Sequence, residues 1–234
     1  SAEAKPPPQD CQGGMGRALP NWHRARAVCA RGELGVGSGT VLDTVLVRRW
    51  QDGDQGGHMR RAMSRFPIPG VADAALKLYF LRDGRAPGQP YKLLPLFKKH
   101  VSVARQQLTM LANFVEISLA KEGHANPVGI NYLTKVQLPN LASIYGAMLA
   151  GVDYVLMGAG IPREIPGVLD AFAEHRPATM RFDVEGLAAG ELETLTLDPG
   201  EFGADPTIPL PPPPFLPPHP ANSPPATPRP PATR

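Results

Sequence analysis

Apolar positions follow two rhythms along this chain, and both are clearest in residues 126–170. Val128, Gly129, Ile130, Tyr132 and Leu133 form a short apolar run interrupted only by Asn131, the pattern of a strand buried on both faces in a parallel sheet. Leu138, Leu141, Ile144, Tyr145, Met148 and Leu149 then recur at helical spacing from Pro139, a residue suited to a first turn, to Gly151, a left-handed stop. Ala142, Ser143, Gly146, Ala147 and Ala150 leave the rest of that helix small enough for close approach to a sheet. A second strand over 152–157, the turn Gly158-Ala159-Gly160 and a helix opened by Pro162 complete a strand, helix, strand, helix unit.

The upstream chain repeats the same order. Three glycines, Gly13, Gly14 and Gly16, lie in the turn around Met15, either a plain loop or a backbone able to approach a flat ligand. A helix is expected over 21–31, capped by Asn21 and stopped by Gly32, followed by a strand and glycine loop over 34–40. The pattern then becomes helical, at 41–50, 71–80 and 101–121, with Leu108, Leu111, Val115 and Leu119 on one face of the last. This predicts a helical insertion at about 41–124 within a domain of residues 1–205. A fifth strand is expected at 179–184, while 186–202 shows little pattern. From Pro209 to Pro231 thirteen of 23 residues are proline, so 206–234 reads as a disordered or polyproline II tail with neither helix nor central strand.

Parallel strands joined by helices place ligands beyond their carboxyl ends, where Asn131 and the Gly158 to Gly160 turn fall. Asn131 there is either a ligand contact or a partner for neighbouring backbone, and the glycines either a site edge or a turn. The two cysteines, Cys11 and Cys29, lack metal-ligand spacing and read as reduced packing residues. The absence of a leader pattern and of any long apolar run predicts a cytoplasmic protein without a membrane span. The net charge of +3 includes Arg229 and Arg234 of the acid-free tail, which leaves the body nearly neutral. The arginines at 48, 49, 60, 61 and 65 lack interleaved aromatics, and no nucleic-acid partner is expected.

Four motifs in order resemble the nitronate monooxygenase family, also called 2-nitropropane dioxygenases: Gln12-Gly13-Gly14-Met15-Gly16, Gly32-Glu33-Leu34-Gly35 with Ser38-Gly39-Thr40, Gly129-Ile130-Asn131, and Gly158-Ala159-Gly160-Ile161-Pro162. Arg48-Arg49, Gly57-His58-Met59-Arg60-Arg61 and Ala120-Lys121-Glu122-Gly123-His124 look like a longer branch with a helical insertion. The resemblance covers about residues 10–203. It implies an α/β fold of the TIM-type (β/α)8 barrel kind, FMN as cofactor, and oxidation of an alkyl nitronate by molecular oxygen. By the same resemblance Gly13, Gly14, Met15 and Asn131 contact the flavin, with Gly158 and Gly160 at the site edge. The family's substrate-facing His, in a Gly-Gly-His segment of the second half, has no counterpart here, since Gly56-Gly57-His58 precedes the third strand. Too few strands are available for closure, which predicts an incomplete barrel from a truncated or frame-shifted reading frame. A flavin-dependent enoyl reductase on the same barrel and a non-catalytic remnant are the alternatives, and oligomeric state is left open.

Overall fold

A computed structural model describes residues 11–12, 21–158, 163–182, 184 and 193–216. In chain order these contain β1 (Cys11–Gln12), α1 (Asn21–Cys29), β2 (Leu34–Ser38), α2 (Leu42–Gln51), α3 (His58–Met63), α4 (Val71–Tyr79), α5 (Val103–Ala120), β3 (Val128–Leu133), α6 (Asn140–Leu149), β4 (Tyr154–Gly158), α7 (Ile165–Ala173), β5 (Ala178–Phe182), β6 (Glu193–Leu197) and β7 (Phe215–Leu216). The protein is α/β. Its main sheet is parallel in the order β1-β2-β3-β4-β7. Both edge strands are only two residues long, and the sheet is open among the described residues.

The faces of the sheet follow from its glycines and register. A Cβ on Gly35 would stand 2.2 Å from the Ala25 carbonyl oxygen of α1, so Gly35 points at the helices and its neighbours Val36 and Leu34 point away. Register then puts Val128, Ile130, Tyr132, Val155 and Met157 on the helix side, all buried. On the other face lie Val36, Ser38, Gly129, Asn131, Leu156 and Gly158. A Cβ on Gly129 would meet Val36 Cγ2 at 3.0 Å and Leu156 Cδ1 at 3.2 Å, which confirms that these three share a face.

The helix expected over 101–121 is buried far beyond the one predicted face: every residue from Leu108 to Ala120 is buried. It packs against α6 and α1 on the sheet side and is covered by α2, α3 and α4. Ser102 caps it, its side chain accepting from the Arg105 backbone N–H. The helix at 58–63, whose bounds the sequence pattern leaves open, is fixed by Asp54, whose carboxylate accepts from the backbone N–H groups of Met59 (3.1 Å) and Arg60 (3.0 Å).

Burying α5 on all sides also buries Glu116, whose Oε1 has no hydrogen-bond partner among the described residues. Burial pushes its carboxyl from the usual 4.5 up to about 7, against the pull of the Arg49 guanidinium and the Trp22 backbone N–H. The folded state therefore holds this proton longer than the unfolded chain does. Its contribution to stability is greatest below pH 4.5 and is lost as pH rises to 7, a span worth roughly 3 kcal/mol. Glu116→Gln is expected to raise the melting temperature at pH 8 and to lose that gain towards pH 5. Parallel melting curves for the two proteins across this range would contradict it.

Two expectations are corrected. The strand predicted at 179–184 exists as β5 but does not join the parallel sheet. It pairs antiparallel with β6, through a stretch that had shown no pattern. Ala178, Met180, Leu195 and Leu197 are buried, while Thr179 and Thr196 meet on the outer face at 3.0 Å. This alternation suits a sheet with one wet face. The parallel sheet instead gains β7 from within the proline run. Pro214 donates nothing but accepts from the Val155 backbone N–H (3.1 Å), and Phe215 and Leu216 register with Val155 and Leu156. Proline is tolerated because β7 is an edge strand. The segment before it, which composition assigns to a disordered tail, buries Leu210. It is also tied down at Ile208, whose carbonyl accepts from His175 Nε2 (2.7 Å) while His175 Nδ1 accepts from the Tyr145 hydroxyl (2.8 Å). The rest of the expected tail, 217–234, lies outside the described residues.

No helix among the described residues is long and apolar enough to cross a membrane. Cys29 is buried, and its thiol donates to the Pro127 carbonyl at 3.1 Å. Burial raises its pKa, as befits a packing residue. The cationic side chains at 60, 61 and 65 are paired: Arg60 with Asp54, and Arg61 and Arg65 with Glu122.

Candidate functional site

The carboxyl edge of the parallel sheet, on the face turned away from α1, α5 and α6, brings together two residues separated by about ninety positions. Ser38, the last residue of β2, is the direct cross-strand partner of Asn131 in β3, and neighbouring residues of one face stand about 5 Å apart. Ser38 is 4% and Asn131 8% exposed. The pair is locked by backbone: Gly39 N–H donates to the Asn131 carbonyl at 2.8 Å, just where β2 ends. Gly158 lies on the same face, opposite Leu133, at the end of β4. Its carbonyl accepts from the Thr134 hydroxyl (3.0 Å) and backbone N–H (3.3 Å), so the loop leaving β3 is fastened to the end of β4.

Below these polar groups the same face carries Val36, Gly129 and Leu156, an apolar strip with no side chain at its centre. The strip ends in the Asn131 amide and the Ser38 hydroxyl. The structure thus brings Asn131 and Gly158 to one edge of the sheet and adds Ser38. Gly13, Gly14, Met15 and Gly160 lie outside the described residues. The Ser38 contribution was hidden in the sequence because only the β2–β3 register pairs it with Asn131.

The chain matches no family model, no curated protein and no solved structure. His58, which shares the letters Gly-Gly-His with the family segment, opens α3 and lies near Trp22 (ring centroids 5.5 Å) and Arg61 (Nδ1 to Nη2, 3.2 Å). These contacts belong to the helical layer rather than to the carboxyl edge. No group of three or more His, Cys, Asp or Glu side chains able to hold a metal ion occurs among the described residues.

Proposed function

We propose that this chain forms the flavin-binding α/β unit of an FMN-dependent oxidoreductase of the nitronate monooxygenase type, built as part of a (β/α)8 barrel. Supporting this architecture, the sheet order follows the chain without reversal and α1, α5 and α6 occupy one face, whereas a doubly wound sheet reverses its order at a switch point. The observation that carries the cofactor assignment is the Ser38 and Asn131 pair at the carboxyl end of an apolar strip.

In this reading Asn131 and Ser38 hold the polar rim of the ring, Val36 and Leu156 provide apolar contact, and the Gly158 end of β4 bounds the site. The flavin, when bound, supplies the two-electron chemistry and the reaction with molecular oxygen. The substrate class, an alkyl nitronate, follows the family resemblance. Ser38 and Asn131 are anchored on strands, so the groups they present are pre-positioned at little entropic cost.

Asn131→Ala is expected to weaken FMN binding by about tenfold, the equivalent of ~1.4 kcal/mol, while leaving the thermal melt within a few degrees of the parent. Flavin fluorescence titration beside thermal melts checks both. An unchanged FMN affinity with a large loss of melting temperature would make Asn131 a structural residue.

A further inference from the structure

On the opposite, helix-side flank of the same edge, a cleft of about 350 Å3 opens between the start of α2, the body of α5 and the start of α6. We propose that it binds a small organic monocarboxylate, at a site separate from the flavin site and independent of that assignment. Its volume lies within the range of small-molecule pockets.

The floor is a rigid polar network. Arg105 and Asp43, each with an 8% exposed side chain, pair at 2.8 Å. Arg105 also donates from Nη1 to Thr109 Oγ1 (2.9 Å) and from Nε to the Pro95 carbonyl (2.9 Å). The Thr109 hydroxyl lies 3.1 Å from Asp43 Oδ2. Asn113 is held at both ends, donating to the Thr109 carbonyl (2.9 Å) and accepting from the Tyr132 hydroxyl (3.0 Å). Over the Tyr132 ring the chain passes as Gly39, where a Cβ would fall 2.0 Å from Cε1. The wall is therefore closed by backbone packed against an aromatic ring.

Three donors remain for a ligand. Nη2 of Arg105 makes no hydrogen bond among the described residues. Ser143 is 3% exposed, lines the cleft and offers a hydroxyl. Lys135 lines the rim, exposed and without an ion pair among the described residues. Asp43 is the only acidic residue among the described lining residues, and Arg105 cancels it, which leaves one net positive charge from Lys135 among them. One uncompensated cation matches a monoanion and falls short of a phosphate dianion. The remaining wall, with Phe97, Leu42, Leu138 and Pro139, is apolar and suits a hydrocarbon body attached to the carboxylate.

The test is calorimetric titration of the full chain with phenylacetate, 2-phenylacetamide and inorganic phosphate, repeated on Lys135→Gln and Ser143→Ala. Lys135 is exposed, so its replacement leaves the fold intact. The expected result is one saturable site for phenylacetate, with the neutral amide and the Lys135→Gln protein each at least about tenfold weaker, and Ser143→Ala several-fold weaker. No saturable binding, equal affinity for acid and amide, or a Lys135→Gln protein that binds as the parent does would overturn the proposal. Phosphate binding more tightly than phenylacetate would also overturn it, by assigning the cleft to polyvalent oxyanions.

Discussion

Gly146→Ala is expected to lower the melting temperature by about 10 °C, although alanine is the better helix former by ~1 kcal/mol. Gly146 sits in α6 where that helix crosses α5, and a Cβ there would stand 2.1 Å from the Met110 carbonyl oxygen and 2.6 Å from its Cα. Both atoms are backbone, so no rotamer change relieves the overlap and the two helices must separate. The separation loosens contacts of residues that are essentially unexposed, among them Met110, Leu111, Ile144 and Ala147. A penalty on the order of 3 kcal/mol or more outweighs the gain in propensity. Gly167 is the matched control. It lies within α7, is exposed, and has nothing within 4 Å of an added Cβ, so Gly167→Ala is expected to stabilise by up to about 1 kcal/mol. Thermal melts of the two variants should move in opposite directions. A Gly146→Ala protein as stable as the parent would mean that α5 and α6 are not in backbone contact.

The second large effect is expected at the ion pair of Asp43 and Arg105. Asp43→Ala removes the carboxylate that faces a guanidinium with only 8% of its side chain exposed, leaving a buried charge without its counterion. Such a loss costs about 3–5 kcal/mol. Replacing both members by apolar residues of similar size, Asp43→Leu with Arg105→Met, removes the charge problem and is expected to recover most of that loss. Urea unfolding of the single and double variants measures the difference. A double variant no more stable than Asp43→Ala would show that the cost comes from lost packing around Thr109 and Phe97 rather than from the stranded charge.

What the sequence revealed and what it hid divide along physical lines. The unit from β3 to α7 was legible because its strands are continuous apolar runs and its helices carry a 3.6-residue stripe bounded by Pro139 and Gly151. Burial of α5 on every side was not, because the helices that cover its second face begin about 30 to 60 residues upstream. β5 was legible but its partner β6 was not, since Thr194 and Thr196 alternate with only two leucines, and β7 was masked by the prolines on either side of it. Proline forbids a donor at its own position, yet leaves its carbonyl for a neighbouring strand, which is the use Pro214 has. For the candidate site, Asn131 stood out as a lone polar residue at a strand end. Its partner Ser38, and the assembly of Asp43, Arg105, Asn113, Lys135 and Ser143 around one cleft, depend on register and helix packing that no local spacing encodes.

The flavin assignment is tested most directly by mapping amide chemical-shift changes while FMN is added to the isotopically labelled chain. Binding at the proposed place predicts saturable shifts centred on Ser38, Asn131 and Gly158, with Lys135 and Ser143 little affected. Absence of any saturable change, or shifts centred on the α2, α5 and α6 cleft instead, would contradict it.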